Sequence, residues 1–265
     1  MEGIVVVKCG GSTVTSLTEA FFQELVELKK YGRHPVIVHG GGPVINEMLE
    51  TFQVETTFVN GLRKTTPEVF QVAEMVLSGQ VNKMIVEKIQ EAGGQAAGIS
   101  CADGPIVQAE VIDEVQLGLV GQPADTDPSL IYSLCEAGII PVVSPVSQNK
   151  AGGRLNVNAD TAAGAVAEAC CAEEMVFVTD VPGVQAEGEV IPTLTKEEAK
   201  ALLQDETIYG GMIPKVQAAM NCLDGHVKKV VIASGTAAEK PADGTIQGTA
   251  ITAGTTPAEQ KVETG

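Results

Sequence analysis

The sequence predicts an α/β protein built on a mainly parallel central sheet with helices on its faces. Three observations predict it. Continuous β-branched runs occur at residues 4–8 (IVVVK) and 35–39 (PVIVH), about thirty residues apart, the spacing of a βαβ unit. Each run ends in glycines, Gly10-Gly11 and Gly40-Gly41-Gly42. Each glycine run then opens into an amphipathic helical pattern. Strands without polar alternation are strands buried on both faces, as in a parallel sheet with helical crossovers.

The elements follow in order. Residues 4–8 form the first strand. A helix follows, for which Ser16 and Glu19 give a capping-box spacing, with Phe21, Phe22, Leu25, Val26 and Leu28 on its apolar face. Gly32 stops it. The second strand is 35–39, and Pro43 starts the next helix through Ile45, Met48 and Leu49. Residues 67–93 read as helical with a break near Ser78-Gly79. A short strand is expected at 96–100, a small surface hairpin at 106–112 and 118–122, a helix at 128–137 and a buried strand at 139–143. Residues 155–157 lead into an alanine-rich helix at 160–171. A strand at 175–179 runs into the turn Asp180-Val181-Pro182-Gly183. Helices at 195–204 and 211–223 and a last core strand at 229–234 complete the pattern. The tail from residue 253, rich in Gly, Thr, Pro and Glu, is expected to be disordered. No linker divides the chain, and a soft boundary between two lobes falls near residues 150–175.

Composition narrows the function. The 265 residues carry 17 Lys+Arg against 34 Asp+Glu, a net charge of -17 that argues against nucleic acid as partner. Three Tyr, six Phe and no Trp make no base-stacking platform. The apolar stretches fall well short of the ~20 residues of a membrane-spanning helix, so no membrane partner is expected. The N-terminus shows neither basic nor long apolar region, so no signal peptide is expected and the location expected is cytoplasmic. The six cysteines form no CxxC pair and read as free and buried.

Lys8 ends the first strand beside Gly10-Gly11, at the carboxyl edge of the sheet where ligands bind. Its ammonium suits a phosphate that glycine N–H groups approach without Cβ interference. The run His39-Gly40-Gly41-Gly42 is a second nest at a strand–helix junction. It comes with no G-x-S-x-G, P-loop or dinucleotide fingerprint. Lys215 sits in the first turn of a helix, against the dipole, which makes sense when it faces a bound anion. Asp160 reads either as an N-cap or as a holder of lysines. Arg63, one of three arginines, follows a glycine turn and suits bidentate capture of a carboxylate. Three scattered histidines make no metal site.

Taken together, KCGGS, VIVHGGGP, NGLRKT, NVNADTAAGA, TDVPGV and YGGMIPKVQAA resemble the amino-acid kinase family, in family order from residue 6 to Gly248-Thr249. NGLR and NVNAD are similar to the branch acting on N-acetyl-L-glutamate, rather than carbamate, aspartate or uridylate. Lys64 and Tyr209 depart from the usual pattern, the one near the substrate lid and the other near the nucleotide. The resemblance implies an αβα sandwich. Its lobe 1–155 would bind acetylglutamate and dimerise, and its lobe 156–252 would bind ATP. It implies ATP-dependent phosphorylation of the side-chain carboxylate of N-acetyl-L-glutamate, in arginine biosynthesis, with Mg²⁺ carried mainly by the nucleotide phosphates and no metal ligands from the chain. Lys8 and Lys215 would stabilise the transferring phosphoryl group, Asp160 would orient both lysines, and Gly11 would donate its N–H. Gly41, Gly42, Arg63 and Asn156 would hold acetylglutamate. Thr179, Asp180, Val181, Gly183, Val184, Tyr209, Gly211 and Lys215 would border the nucleotide.

Two other readings stay open. One is a kinase for an acetylated or carrier-linked aminoadipate, which a wider pocket around Arg63 would favour. The other is a non-catalytic sensor of ATP or an amino acid, against which both lysines speak. Family hexamers inhibited by arginine carry an extra helix ahead of the first strand. With three residues before Ile4, the expectation here is a homodimer, joined through 67–93 and little inhibited by arginine.

Overall fold

The computed structural model describes residues 1–186, 188–236 and 246–254. In chain order the strands are β1 Ile4–Cys9, β2 His34–His39, β3 Phe58–Val59, β4 Leu62–Arg63, β5 Ala96–Ser100, β6 Val107–Val111, β7 Val120–Thr126 and β8 Ile140–Ser144. They continue with β9 Val146–Gln148, β10 Arg154–Val157, β11 Glu174–Thr179, β12 Gln185–Ala186, β13 Glu189–Val190, β14 Thr193–Thr195, β15 Lys229–Ser234 and β16 Gly248–Thr252. The helices are α1 Glu19–Leu28, α2 Gly42–Thr51, α3 Pro67–Glu74, α4 Asn82–Glu91, α5 Ser129–Glu136, α6 Ala159–Ala169, α7 Lys196–Gln204 and α8 Met212–Cys222.

An eight-stranded sheet in the order β14-β16-β15-β11-β1-β2-β8-β5 forms the middle layer. Every neighbouring pair is parallel except β15 with β16. Alternation along β1 divides the core. Ile4 and Val6 face one apolar cluster, with α6 and α8; Val5 and Val7 face the other, with α1, α3 and α4. All four are fully buried. Each such side chain contributes on the order of 1.5–3 kcal/mol, which is why a run with no polar alternation lies in mid-sheet. The α/β class and the parallel sheet read from the sequence are as observed.

Several local features differ from the expectation. The cap of α1 is Thr18, whose side chain accepts from Phe21 N, while Ser16 donates to Thr13 O. The observed capping box is Thr195 with Glu198, ahead of α7. The segment 67–93 does not break at Ser78-Gly79. It continues through a π-helical turn, Met75–Val81, between α3 and α4. The expected hairpin exists, β6 antiparallel to β7, but it is half of a closed four-stranded barrel with β9 and β10. Four cysteines are buried, whereas Cys171 is exposed and Cys222 half-buried. The tail expected to be disordered lies, from residue 255, outside the described residues.

Candidate active site

The carboxyl ends of β1, β2 and β11 and the N-termini of α2, α6 and α8 line one edge of the sheet, where helix dipoles favour an anion. A trough runs along that edge as three cavities sharing walls. The first, about 320 Å³, is lined by Lys8, Gly11, Gly41, Gly42, Asn156 and Asp160, among others. The middle one, about 230 Å³, shares Lys8, Gly11 and Asp160 with it and adds Thr179, Gly211 and Lys215. The third, about 320 Å³, shares Asp180, Gly211 and Lys215 with the middle one and is walled by Val181, Gly183, Val184, Ile208, Tyr209 and Met212.

Two lysines face the middle cavity, each on its own carboxylate. Lys8 Nζ lies 2.7 Å from Asp160 Oδ1, and Lys215 Nζ lies 2.9 Å from Asp180 Oδ1. Asp160 is free to do this because Asn158 is the cap of α6, its side chain accepting from the N–H groups of Asp160 and Thr161. The bond from Lys215 holds the Asp180 carboxyl below the usual range. Cys9, next to Lys8, is no competing nucleophile, since burial pushes its thiol up to about 12.

The glycine loops touch. A Cβ on Gly11 would stand 2.7 Å from Gly42 N and 3.0 Å from Gly41 N, so only glycine permits this approach. Gly183 is required for the same reason at the far end, where a Cβ would meet Thr249 Oγ1 at 2.6 Å. Thr249 Oγ1 in turn accepts from Val184 N at 2.8 Å. Thr179 ends β11 and its Oγ1 accepts from Val181 N at 3.1 Å, fixing the turn that carries Asp180.

Arg63 ends β4 and is buried. It donates to Thr56 Oγ1 at 3.2 Å and to Gly42 O at 3.3 Å, and its guanidinium lies 4.7 Å from the Phe58 ring centroid. Burial lowers its pKa. Asn156 Nδ2 donates to Thr65 Oγ1 at 3.1 Å, and Thr65 Oγ1 donates to the Arg63 carbonyl at 2.8 Å. Arg63 and Asn156, far apart in sequence, are thus joined through Thr65, a residue the sequence reading did not single out. The structure also adds Ser12, Leu77 and Pro145 to the walls of the first cavity.

The chain matches the amino acid kinase family over residues 3–234. The chain belongs to that family. It is 49% identical over 251 residues, 95% of this chain and 96% of the relative, to a protein named acetylglutamate kinase from Halalkalibacterium halodurans. It is 48% identical over 235 residues, 89% of this chain and 91% of the relative, to one of the same name from Geobacillus thermodenitrificans. Among solved structures, smu.665 from Streptococcus mutans superposes with TM-score 0.80 at 31% identity, covering 96% of this chain and 100% of that one. The family fold extends to carbamate kinase from Giardia lamblia bound to AMP-PNP, with TM-score 0.67 at 17% identity, 94% of this chain and 98% of that one.

Among the described residues no group of three or more His, Cys, Asp or Glu could hold a metal ion, and no helix is long and apolar enough to cross a membrane.

Proposed function

We propose that the chain is an acetylglutamate kinase, transferring the γ-phosphoryl group of ATP to the side-chain carboxylate of N-acetyl-L-glutamate in arginine biosynthesis. The observation that carries this reading is the middle cavity, where Lys8 and Lys215 stand between two flanking cavities, one for each substrate. The near-full-length likeness to relatives of that name supports it.

The chemistry follows from charge. A glutamate side-chain carboxylate, with a reference pKa near 4.3, is already ionised at neutral pH, so transfer to it needs no general base. The obstacle is the approach of one anion to another. Lys8 and Lys215 meet the charge on the phosphoryl oxygens at the middle cavity, which Gly11 also lines, while Gly41 and Gly42 line the adjoining first cavity. Asp160 keeps Lys8 directed into the cavity, and Asp180 does so for Lys215. Arg63, bonded to the Gly42 carbonyl beside the first cavity, and Asn156, on its wall, are assigned to the acceptor, whose side-chain carboxylate meets the phosphoryl group at the middle cavity.

Val181, Gly183, Val184, Tyr209 and Gly211 border the nucleotide. Adenine rests there on aliphatic walls, with Tyr209 exposed to solvent at the rim. The two carboxylates nearest the phosphates are already paired with lysines, which fits a Mg²⁺ ion that comes and goes with ATP as part of that substrate. Bound there, the ion neutralises phosphate charge.

The same reading assigns residues 1–155 to acceptor binding and dimerisation and 156–252 to ATP. It makes the protein a cytoplasmic homodimer joined through the helical segment 67–93, where Met75 is exposed. ADP release measured side by side with acetylglutamate, acetylaminoadipate, aspartate, carbamate and UMP tests the function. Turnover with acetylglutamate far above the others is expected, and preference for another acceptor overturns it.

A further inference from the structure

His39 ends β2 immediately before the glycines of the first cavity, and it is fully buried. The chemistry above gives it no task. Its Nδ1 lies 3.0 Å from the Gly40 carbonyl oxygen, and its Nε2 lies 3.2 Å from Asn82 Nδ2. Asn82, also fully buried, follows the π-helical turn and opens α4.

The network fixes where the imidazole proton sits. Asn82 Nδ2 also lies 2.9 Å from Val142 O and 3.2 Å from Ile99 O. Carbonyls only accept, so the amide must turn its NH₂ toward them, while Lys83 Nζ donates to Asn82 Oδ1 at 3.1 Å. The two amide hydrogens serve three acceptors, and a proton on His39 Nε2 would set donor against donor, so Nε2 is the unprotonated nitrogen. The proton is left on Nδ1, where it is donated to the Gly40 carbonyl. A Cβ on Gly98 would lie 1.8 Å from Asn82 Oδ1, so glycine at that position in β5 makes room for the amide.

In a trans peptide the C=O and N–H groups point in opposite directions. An imidazole that holds the Gly40 carbonyl therefore turns the Gly41 N–H away from His39, toward the side where Gly11 closes on the loop. The π-helical turn supplies the floor, since Leu77, Val81 and Val76 pack against Gly41. Such turns shift the phase of a helix, and this one sets Asn82 against β2, β8 and β5 together.

We propose that His39 and Asn82 are positioning residues: Asn82 holds His39 as the Nδ1–H tautomer, and His39 holds the Gly40–Gly41 peptide so that its N–H points at the acceptor. The proposal rests on the function given above, because the acceptor is taken to bind at this loop. Burial keeps the imidazole neutral, lowering its pKa to about 4, so His39 supplies geometry and not charge or proton transfer.

Two substitutions separate the two contacts. In His39→Asn the side-chain amide stands where Nδ1 stood and keeps the donor to Gly40. In His39→Gln it reaches the Nε2 position, keeping the contact to Asn82 but losing the one to Gly40. With one neutral hydrogen bond at stake, His39→Gln and Asn82→Ala are expected to raise the acetylglutamate KM roughly 3–10-fold. His39→Asn is expected to stay within about 3-fold, and all three leave the ATP KM within about 2-fold. Equal damage by His39→Asn and His39→Gln, or parallel rises in both KM values, overturns the proposal. A second measurement does not depend on turnover: ¹⁵N NMR of the wild-type imidazoles at neutral pH should show one neutral ring protonated at Nδ1. A neutral Nε2–H ring or an imidazolium at His39 overturns it. Wild-type enzyme that does not turn over acetylglutamate defeats the function instead, and the tautomer result stands apart from that.

Discussion

Replacing Gly11 by alanine adds one methyl group at the most crowded point of the site. The Cβ would stand 2.7 Å from Gly42 N and 3.0 Å from Gly41 N, where ordinary contact begins at 3.4 Å. Both neighbours are backbone, so no side chain can swing aside, and the loop must retreat by about 0.7 Å. Gly11 is not among the glycines with positive φ, so the substitution carries no conformational penalty of its own. The effect therefore falls on geometry. A 1 Å misplacement of reacting groups can cost about 10²-fold, so Gly11→Ala is expected to lower kcat/KM for acetylglutamate roughly 10–10²-fold. Coupled ADP release, with acetylglutamate and ATP varied separately, reads this, and a melting curve run alongside should move by no more than a few degrees. A variant with wild-type kcat/KM would refute the argument that the two glycine loops must touch. So would a variant whose loss is explained by unfolding.

Four further outcomes are expected. Lys8→Ala and Lys215→Ala should each lower kcat on the order of 10²–10³-fold with smaller changes in KM, as for loss of an oxyanion donor; steady-state kinetics checks this. Asp160→Asn should lower kcat through Lys8, while Asp180→Asn acts through Lys215, and the double variant should be worse than either. Arg63→Ala should raise the acetylglutamate KM about 10–150-fold, the worth of one charge-assisted bond, and leave ATP binding unchanged, which a titration with each substrate reads. His39 makes stability pH-dependent. Its folded pKa, about 4, lies below the unfolded value near 6.5, so the unfolded chain binds more protons between them. This contribution is intact above about pH 6.5 and falls away toward pH 4, by about 2 kcal/mol on going to pH 5. Urea unfolding at pH 7 and pH 5 should show that loss in the wild type and not in His39→Asn.

What could be read in the sequence was whatever had a local signature. Lys8 was legible because an unbroken β-branched run places its last residue at the carboxyl edge of a parallel sheet, where Gly10-Gly11 follows. Lys215 was legible because a cation in a first helical turn opposes the dipole. Arg63 stood out as a scarce arginine behind a glycine turn. The pairing of these groups was not legible, because it depends on contacts across the fold. Lys8 meets Asp160, but Lys215 meets Asp180, a residue read only as a neighbour of the nucleotide. In NVNAD Asp160 reads as a cap, and the structure caps α6 with Asn158 instead, which leaves the Asp160 carboxylate to Lys8.

The missed fold elements are short or lack a period. β9 has three residues and β14 three, and β16 (GTAIT) takes its place from pairing with β15 rather than from its own pattern. Ser78-Gly79 has low helix propensity and reads as a break. Tertiary packing overrides it: Val76, Leu77 and Val81 are buried beneath Gly41, and Ser78 Oγ lies 2.8 Å from Ser144 Oγ, so the helix widens and continues. Asn82 carries no local signal. Its importance comes from three strands it touches at once.

The most direct test of the central claim is the identity of the product. With ATP, Mg²⁺ and N-acetyl-L-glutamate, the enzyme should form an acyl phosphate that hydroxylamine traps, and tandem mass spectrometry should place the hydroxamate on the side-chain carboxyl carbon. A hydroxamate on the α-carboxyl carbon, or none with acetylglutamate while another acceptor yields one, would contradict the account.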